Sequence, residues 1–299
     1  LDRVFEGSEE YAVELESDVK ERAYDVVERL CRGFAAEFAP DQLARPILKD
    51  IYDNSLTLLY RLLFIFYAEA RDLLPLTSST SYRDNYSLRR MALDIDEVLK
   101  KGEQLSSHSK NYYHRLSDLF RLVDGGDRSL GVPEYNGGLF DGAGHAFLEQ
   151  HGIADSFLVD AIRQLARIPD NKLGKEVAVD YNTLSERHLG SIYEGLLEFK
   201  PKIAPSDLVA VKEKSSIRYA PASEYPGKRL AYSQGDLYLA NDKGERKASG
   251  SYYTPEYIVN YIVENTLDPL VKEAAEKTKA LQPELNKKAD RWRKLKTQK

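Results

Sequence analysis

The spacing of apolar residues predicts a mainly α fold: a helical bundle over residues 1–200, a small β-hairpin element over 201–249, and a further helix opening within 250–299. Three observations carry this. Apolar residues recur every three to four positions through most of the first 200 residues, the period of a helix with one buried face. Beyond Pro201 the chain changes to alternating and β-branched runs, which suit half-buried strands. The helical period then returns after Pro255.

The elements run in this order. From Ser8 to Leu30 the residues Leu15, Val19, Ala23, Val26, Val27 and Leu30 form one stripe, and Gly33 is expected just beyond the helix end. Pro40 to Lys49 reads as a connector or short helix, and Asp53 to Leu73 as a buried helix that Pro75 ends. Thr77 to Asn85, rich in Ser, Thr and Tyr, reads as a surface loop. Helices are expected over Met91–Leu99 and around Tyr113, Leu116, Leu119, Phe120 and Val123, the second stopped by Gly125-Gly126, with loops to Gly152. Phe157, Leu158, Ala161, Ile162 and Leu165 make the next stripe, closed by Pro169. Ser185 can cap a helix burying Leu189, Ile192, Tyr193, Leu196 and Leu197, ended by Pro201. Asp207–Glu213, Ser216–Tyr219 and Asp236–Ala240 read as strands, with a turn at Asn241-Asp242-Lys243-Gly244 and a return strand near Glu245–Ala248.

Composition narrows the function classes. With 299 residues and 42% hydrophobic content, one or two cores can form. The formal net charge of -5 argues against a uniformly basic nucleic-acid sleeve, so DNA contact must be local. A single cysteine, Cys31, excludes an internal disulfide and fits a small buried apolar role in a reducing cytoplasm. The greasiest stretch, Leu56 to Ala68, is interrupted by Arg61, bounded by Asp53 and Glu69, and too short for a membrane span. From Asn286 to Lys299 seven basic residues face one acidic residue, a run that reads first as a solvated helix face. The abrupt helical start and charged end suggest a piece of something longer.

Gly250-Ser251-Tyr252-Tyr253-Thr254-Pro255 is the most informative segment. Thr254 suits an N-cap and Pro255 the first helical position, ahead of the stripe Ile258, Val259, Ile262, Val263 and Leu267. Adjacent tyrosines on an extended chain point to opposite faces, so one ring can anchor while the other lines a cleft beside uncapped amides. The plainer reading is a capped helix start with aromatic packing.

This segment resembles the one that opens the methyltransferase domain of gamma-type N6-adenine DNA methyltransferases. Leu59 to Leu63 with Phe64, running on to Pro75, is similar to the buried helix upstream of that domain in type IIG restriction-modification and phage-exclusion enzymes. Tyr135 to Phe140 and His188 to Glu198 resemble two further blocks, and Leu15 to Arg22 the helix after the nuclease in fused members; the blocks fall in the family's order. The resemblance implies a helical connector, then the first helix of a truncated class I (Rossmann-like) methyltransferase domain. Gly250, Tyr252, Tyr253, Thr254 and Pro255 are then cofactor-side contacts for S-adenosylmethionine, with Arg246 and Lys247 placed to touch a DNA phosphate. Against that, Arg246 and Lys247 read as ordinary solvated strand residues. The implied parent methylates adenine N6 in double-stranded DNA, in the cytoplasm and away from membranes, and uses Mg²⁺ only if an endonuclease domain is attached. Neither the family's Asp-Pro-Ala-Cys-Gly-Ser-Gly loop nor an Asn-Pro-Pro or Asp-Pro-Pro motif occurs, so the piece is expected to be inactive alone, with no catalytic residue and no metal ligand. The rival reading is a free-standing helical scaffold that binds a protein partner.

Other constellations are weak. Pro169-Asp170 with Glu198-Phe199-Lys200 spells a Mg²⁺-dependent nuclease, but Glu198 and Lys200 are expected to end a helix rather than to sit on a strand. Glu245-Arg246-Lys247 lacks an Asp partner. His108, His114, His145, His151 and His188 show no metal-ligand spacing. Gly137-Gly138 reads as a tight turn with positive φ rather than a phosphate loop.

Overall fold

The computed structural model describes residues 19, 22–135, 137–170, 174–184, 186–213, 216–241 and 256–296. The chain divides into two compact units, Leu1–Ser251 and Tyr252–Lys299.

The first unit is mainly helical. Its described helices are α1 (residues 22–35), α2 (Arg45–Ala70), α3 (Thr80–Asn85), α4 (Leu88–Lys100), α5 (Asn111–Gly125), α6 (Ala146–Gln150), α7 (Asp155–Ala166) and α8 (Glu186–Leu196). Helix α2 starts where Pro46 needs no N–H and runs through the core, burying Leu58, Leu59, Leu62 and Ile65 completely. It stops at Asp72, which takes a left-handed φ of 55° while its carboxylate accepts hydrogen bonds from Thr77. Among the described residues, the stripes expected in α1, α5 and α7 face the core, with Val27, Leu119 and Leu158 fully enclosed and Phe157 half-buried, and α4 buries Ile95; Leu15 lies outside the described residues.

Several local expectations need correction. Helix α1 does not stop at Gly33 but passes through it. A Cβ there would lie 2.5 Å from Cγ2 of Ile153 and 3.1 Å from Cβ of Phe157, so the glycine lets α1 approach the start of α7 closely. The expected loop at 77–85 contains α3, whose first turn is capped by the Ser79 hydroxyl accepting from the Tyr82 amide. Between Gly126 and Gly152 the chain is not all loop, since it forms α6. Gly126 does end α5, with φ 67°, and a Cβ there would meet the Glu134 amide nitrogen at 2.7 Å. Gly137 and Gly138 are not among the glycines with positive φ; their bend closes through the Phe140 amide donating to the Gly137 carbonyl.

The β content exceeds one hairpin. Among the described residues, seven strands form three antiparallel sheets: β1 (Arg167–Asp170) with β2 (Lys175–Ala178); β3 (Phe199–Ile203) with β7 (Leu237–Asn241); and β5 (Ser216–Pro221), β4 (Leu208–Glu213) and β6 (Leu230–Tyr232) in the order β5-β4-β6. Pro169 and Pro201 do not close helices. Each sits inside a strand of a two-stranded sheet, where one edge carries no ladder bond for a proline to break. Helix α8 ends earlier, at Leu196, and keeps Ile192 and Leu196 buried but leaves Tyr193 and Leu197 partly exposed. The turn and return strand expected over 241–248 fall outside the described residues, except for Asn241 itself, the last residue of β7.

Helix α1 holds the strands. The half-buried Glu28 carboxylate accepts from the Tyr232 hydroxyl at 2.8 Å and the Leu239 amide at 3.3 Å, while Arg32 pairs with Asp236 at 3.0 Å. Burial raises the Glu28 carboxyl above its ordinary range, and the Tyr232 hydrogen bond works against that rise. The Tyr24 ring meets Phe199 edge-on with centroids 4.2 Å apart.

The second unit's described part is one helix, α9 (Glu256–Lys296), with Pro269 and Pro283 in its interior. No described helix is long and apolar enough to cross a membrane.

Candidate functional site

The residues that the sequence assigns to a ligand, Gly250, Tyr252, Tyr253, Thr254 and Pro255, lie outside the described residues, as do Arg246 and Lys247. The helix directly after them, α9, carries the expected stripe, and it is uncovered: Tyr261 is 67% exposed, Ile262 50%, Leu267 54% and Val271 63%, with Leu281 and Leu285 equally open. A helix that repeats apolar residues on one side loses the burial that would stabilise it unless something lies on that side.

The sequence blocks singled out upstream converge on α2. Arg61, 1% exposed, donates from Nε to the Leu139 carbonyl at 2.7 Å, and its guanidinium lies 5.1 Å from the Phe120 ring and 5.7 Å from Phe140. The Tyr135 hydroxyl donates to the Leu73 carbonyl, and Phe64 packs edge-on against both Tyr135 and Phe140. These contacts hold Tyr135, Leu139 and Phe140 against α2 and the residues just after it. On the opposite flank, Tyr52 and Tyr24 donate to the Leu196 and Gly195 carbonyls at the end of α8, and Tyr60 meets Tyr193 with centroids 5.3 Å apart. Arg71 reaches the Asn182 and Leu184 carbonyls just ahead of α8 while lying 5.0 Å from the Tyr67 ring. From the N-terminal block, Arg22 donates to the Arg167 carbonyl at 2.8 Å.

Two charged groups in this core were legible only as interruptions of a greasy run. Burial pushes the Arg61 guanidinium below its ordinary range, and one of its terminal nitrogens is buried without a hydrogen-bond partner among the described residues. Glu69, 3% exposed, serves as an internal cap for α4. Its carboxylate accepts from the Leu88 amide at 2.7 Å, the Arg89 amide at 2.9 Å and the Tyr82 hydroxyl at 2.9 Å. Glu69 and the Ser87 hydroxyl thus satisfy the orphan amides at the start of α4. Burial outweighs them and pushes the Glu69 carboxyl up to about 7.

Among the remaining constellations, only the elements that carry the nuclease-like letters differ from expectation. Lys200 sits on β3 and not at a helix end, while Glu198 falls in the turn between α8 and that strand. Asp170, however, lies on β1, in a different sheet, and among the described residues no group of three His, Cys, Asp or Glu could hold a metal ion. His151 hydrogen-bonds to Glu37 at 2.9 Å and His145 to the Gly138 carbonyl at 3.0 Å, which are structural roles. Cys31 is fully buried, its thiol pushed up to about 12 by desolvation, so it is an unreactive packing residue. Compared with family models, with curated proteins and with solved structures, the chain matches none.

Proposed function

We propose that this chain is the connector and opening methyltransferase segment of a site-specific N6-adenine DNA methyltransferase of a restriction-modification or phage-defence system. The observation that carries the reading is the closure of the resembling blocks on one helix. Leu59–Pro75, Tyr135–Phe140 and His188–Glu198 stand far apart in the chain, yet they meet on α2 through Arg61 with the Leu139 carbonyl, Tyr135 with the Leu73 carbonyl, and Tyr60 against Tyr193. A body tied in this way is stiff, and a spacer that sets one active site relative to another has to be stiff.

The uncovered stripe of α9 supports the same reading, because the first helix of a methyltransferase domain has the sheet of that domain to cover it. In this reading Gly250, Tyr252, Tyr253, Thr254 and Pro255 form one wall of the S-adenosylmethionine pocket, and Arg246 and Lys247 meet a DNA phosphate. The cofactor supplies the methyl group; these residues bind and orient it. Mg²⁺ enters only with an upstream nuclease domain.

The test is to express the chain together with the sequence flanking it in its reading frame. Labelled methyl transfer from S-adenosylmethionine to adenine N6 in duplex DNA is the expected result, with calorimetric binding of the cofactor. Absence of both overturns the proposal. The same exposed stripe favours one rival, a scaffold whose α9 receives a partner helix. That reading gains if the full reading frame encodes no cofactor loop.

A further inference from the structure

A second feature, independent of the methyltransferase reading, lies where α2, α4, α7 and the β1–β2 hairpin meet. There the chain leaves a pit of about 120 Å³. Its walls include one alanine from each of four elements: Ala70 of α2, Ala92 of α4, Ala166 of α7 and Ala178 of β2. One side is a stacked aromatic pair, Phe66 and Tyr181, with centroids 5.2 Å apart and planes within 9°. Interiors pack with few voids larger than a water, so four small side chains converging on one point hold open a space that any larger residue would fill. An enclosed apolar cavity of about 150 Å³ takes a benzene ring, so a pit of about 120 Å³ that opens to solvent holds most of one ring and leaves its substituted edge at the mouth.

The polar groups at the pit decide what else a ligand must carry. Glu69 is spent, since both of its oxygens accept hydrogen bonds from Leu88, Arg89 and Tyr82. Arg167 is also held, by Asp96 at 2.9 Å. Arg89 differs. Its backbone amide serves Glu69 and its charge favours that carboxylate, but its exposed side chain makes no hydrogen bond or close ion pair among the described residues. A cation free to fold over an apolar pit is suited to a carboxylate, which a guanidinium can grip with two parallel hydrogen bonds.

We propose that this pit binds a compact apolar carboxylate, a single ring or short branched chain bearing one acid group, with the hydrocarbon among the four alanines and the acid on Arg89. Size and charge both select. A longer acyl chain exceeds the volume, and an ammonium in place of the acid meets Arg89 and Arg167, while Glu69, the one carboxylate in the lining, has both oxygens engaged.

The experiment is saturation-transfer NMR on the full chain, with benzoate and benzylammonium as probes, in the parent protein and in two variants. Arg89→Ala removes the surface cation, and Ala178→Leu fills the pit from an exposed rim position. Saturable binding of benzoate, weakened at least fivefold by each variant, with no binding of benzylammonium, is expected. The proposal is overturned by absence of benzoate binding, by benzoate affinity unchanged in both variants, or by benzylammonium binding as tightly as benzoate.

Discussion

Helices α2 and α9 are the two longest described, 26 and 41 residues, and both repeat apolar side chains at helical spacing. They end in opposite conditions. On α2 even Arg61, Glu69 and Ser55 are buried, whereas none of the described α9 side chains is. The difference is one of company. α2 has helices, strands and loops packed around it, so its charged groups must find partners inside. α9 has an apolar side and nothing among the described residues of its own unit to set against it. Amphipathic spacing therefore announces that a helix wants a partner, and says nothing of whether one is present.

The contrast is sharpest under matched truncations. Leu59→Ala in α2 removes a fully buried side chain and is expected to cost about 3–4 kcal/mol in urea unfolding of the full chain. The same change at Leu270 of α9, 62% exposed, should stay within about 0.5 kcal/mol. A comparable loss at both sites would mean that α9 is covered in solution.

Glu69 tests the other side of the comparison, the cost of burying charge. Its folded carboxyl titrates near 7, above the ordinary 4.5, so the native state holds a proton that the unfolded chain has released. Stability from this group is complete below pH 4.5 and is lost as the pH rises through 7, by roughly 3 kcal/mol. Glu69→Gln should flatten the stability profile between pH 4.5 and 7.5. A slope unchanged by the substitution would place the titration elsewhere.

Arg61→Ala is expected to cost roughly 2 kcal/mol, since it removes the donor to the Leu139 carbonyl and the guanidinium packed beside Phe120 and Phe140. Protease cleavage within 135–140 should then quicken, because that segment loses its tether to α2. Equal cleavage rates in parent and variant would show that Tyr135 alone holds it. The smallest effect concerns Cys31. Iodoacetamide should leave it untouched in native buffer and label it at once in denaturant, because its thiol is buried and titrates near 12.

Much of the helical body was legible. Stripes such as Leu116, Leu119, Phe120 and Val123 have one period and one interpretation, and that face of α5 is buried as expected. The errors cluster where a residue type has two uses. Pro169 and Pro201 stop helices by losing an N–H, yet the same loss is harmless on the free edge of a strand, so β1 and β3 went unread. Ser79 in a Ser- and Thr-rich stretch signals a turn as readily as the cap of a six-residue helix. Arg61 and Glu69 read as a break and a flank of an apolar run, because charge is normally outside and only three-dimensional partners reveal otherwise. The tyrosine corner rests on its motif alone, since those residues lie outside the described ones.

Pro269 and Pro283 give α9 one further property. Each proline lacks the amide that would bond to the carbonyl four residues earlier, at Asn265 and Lys279, so the rod is divided into stretches 256–268, 269–282 and 283–296. Each is about as long as the ~12–15 residues below which a solitary helix is marginal in water. Its winding is therefore conditional. Deuterium uptake along 256–296 should be fast when the apolar side is bare and slow when it is docked, which turns this segment into a built-in gauge of occupancy.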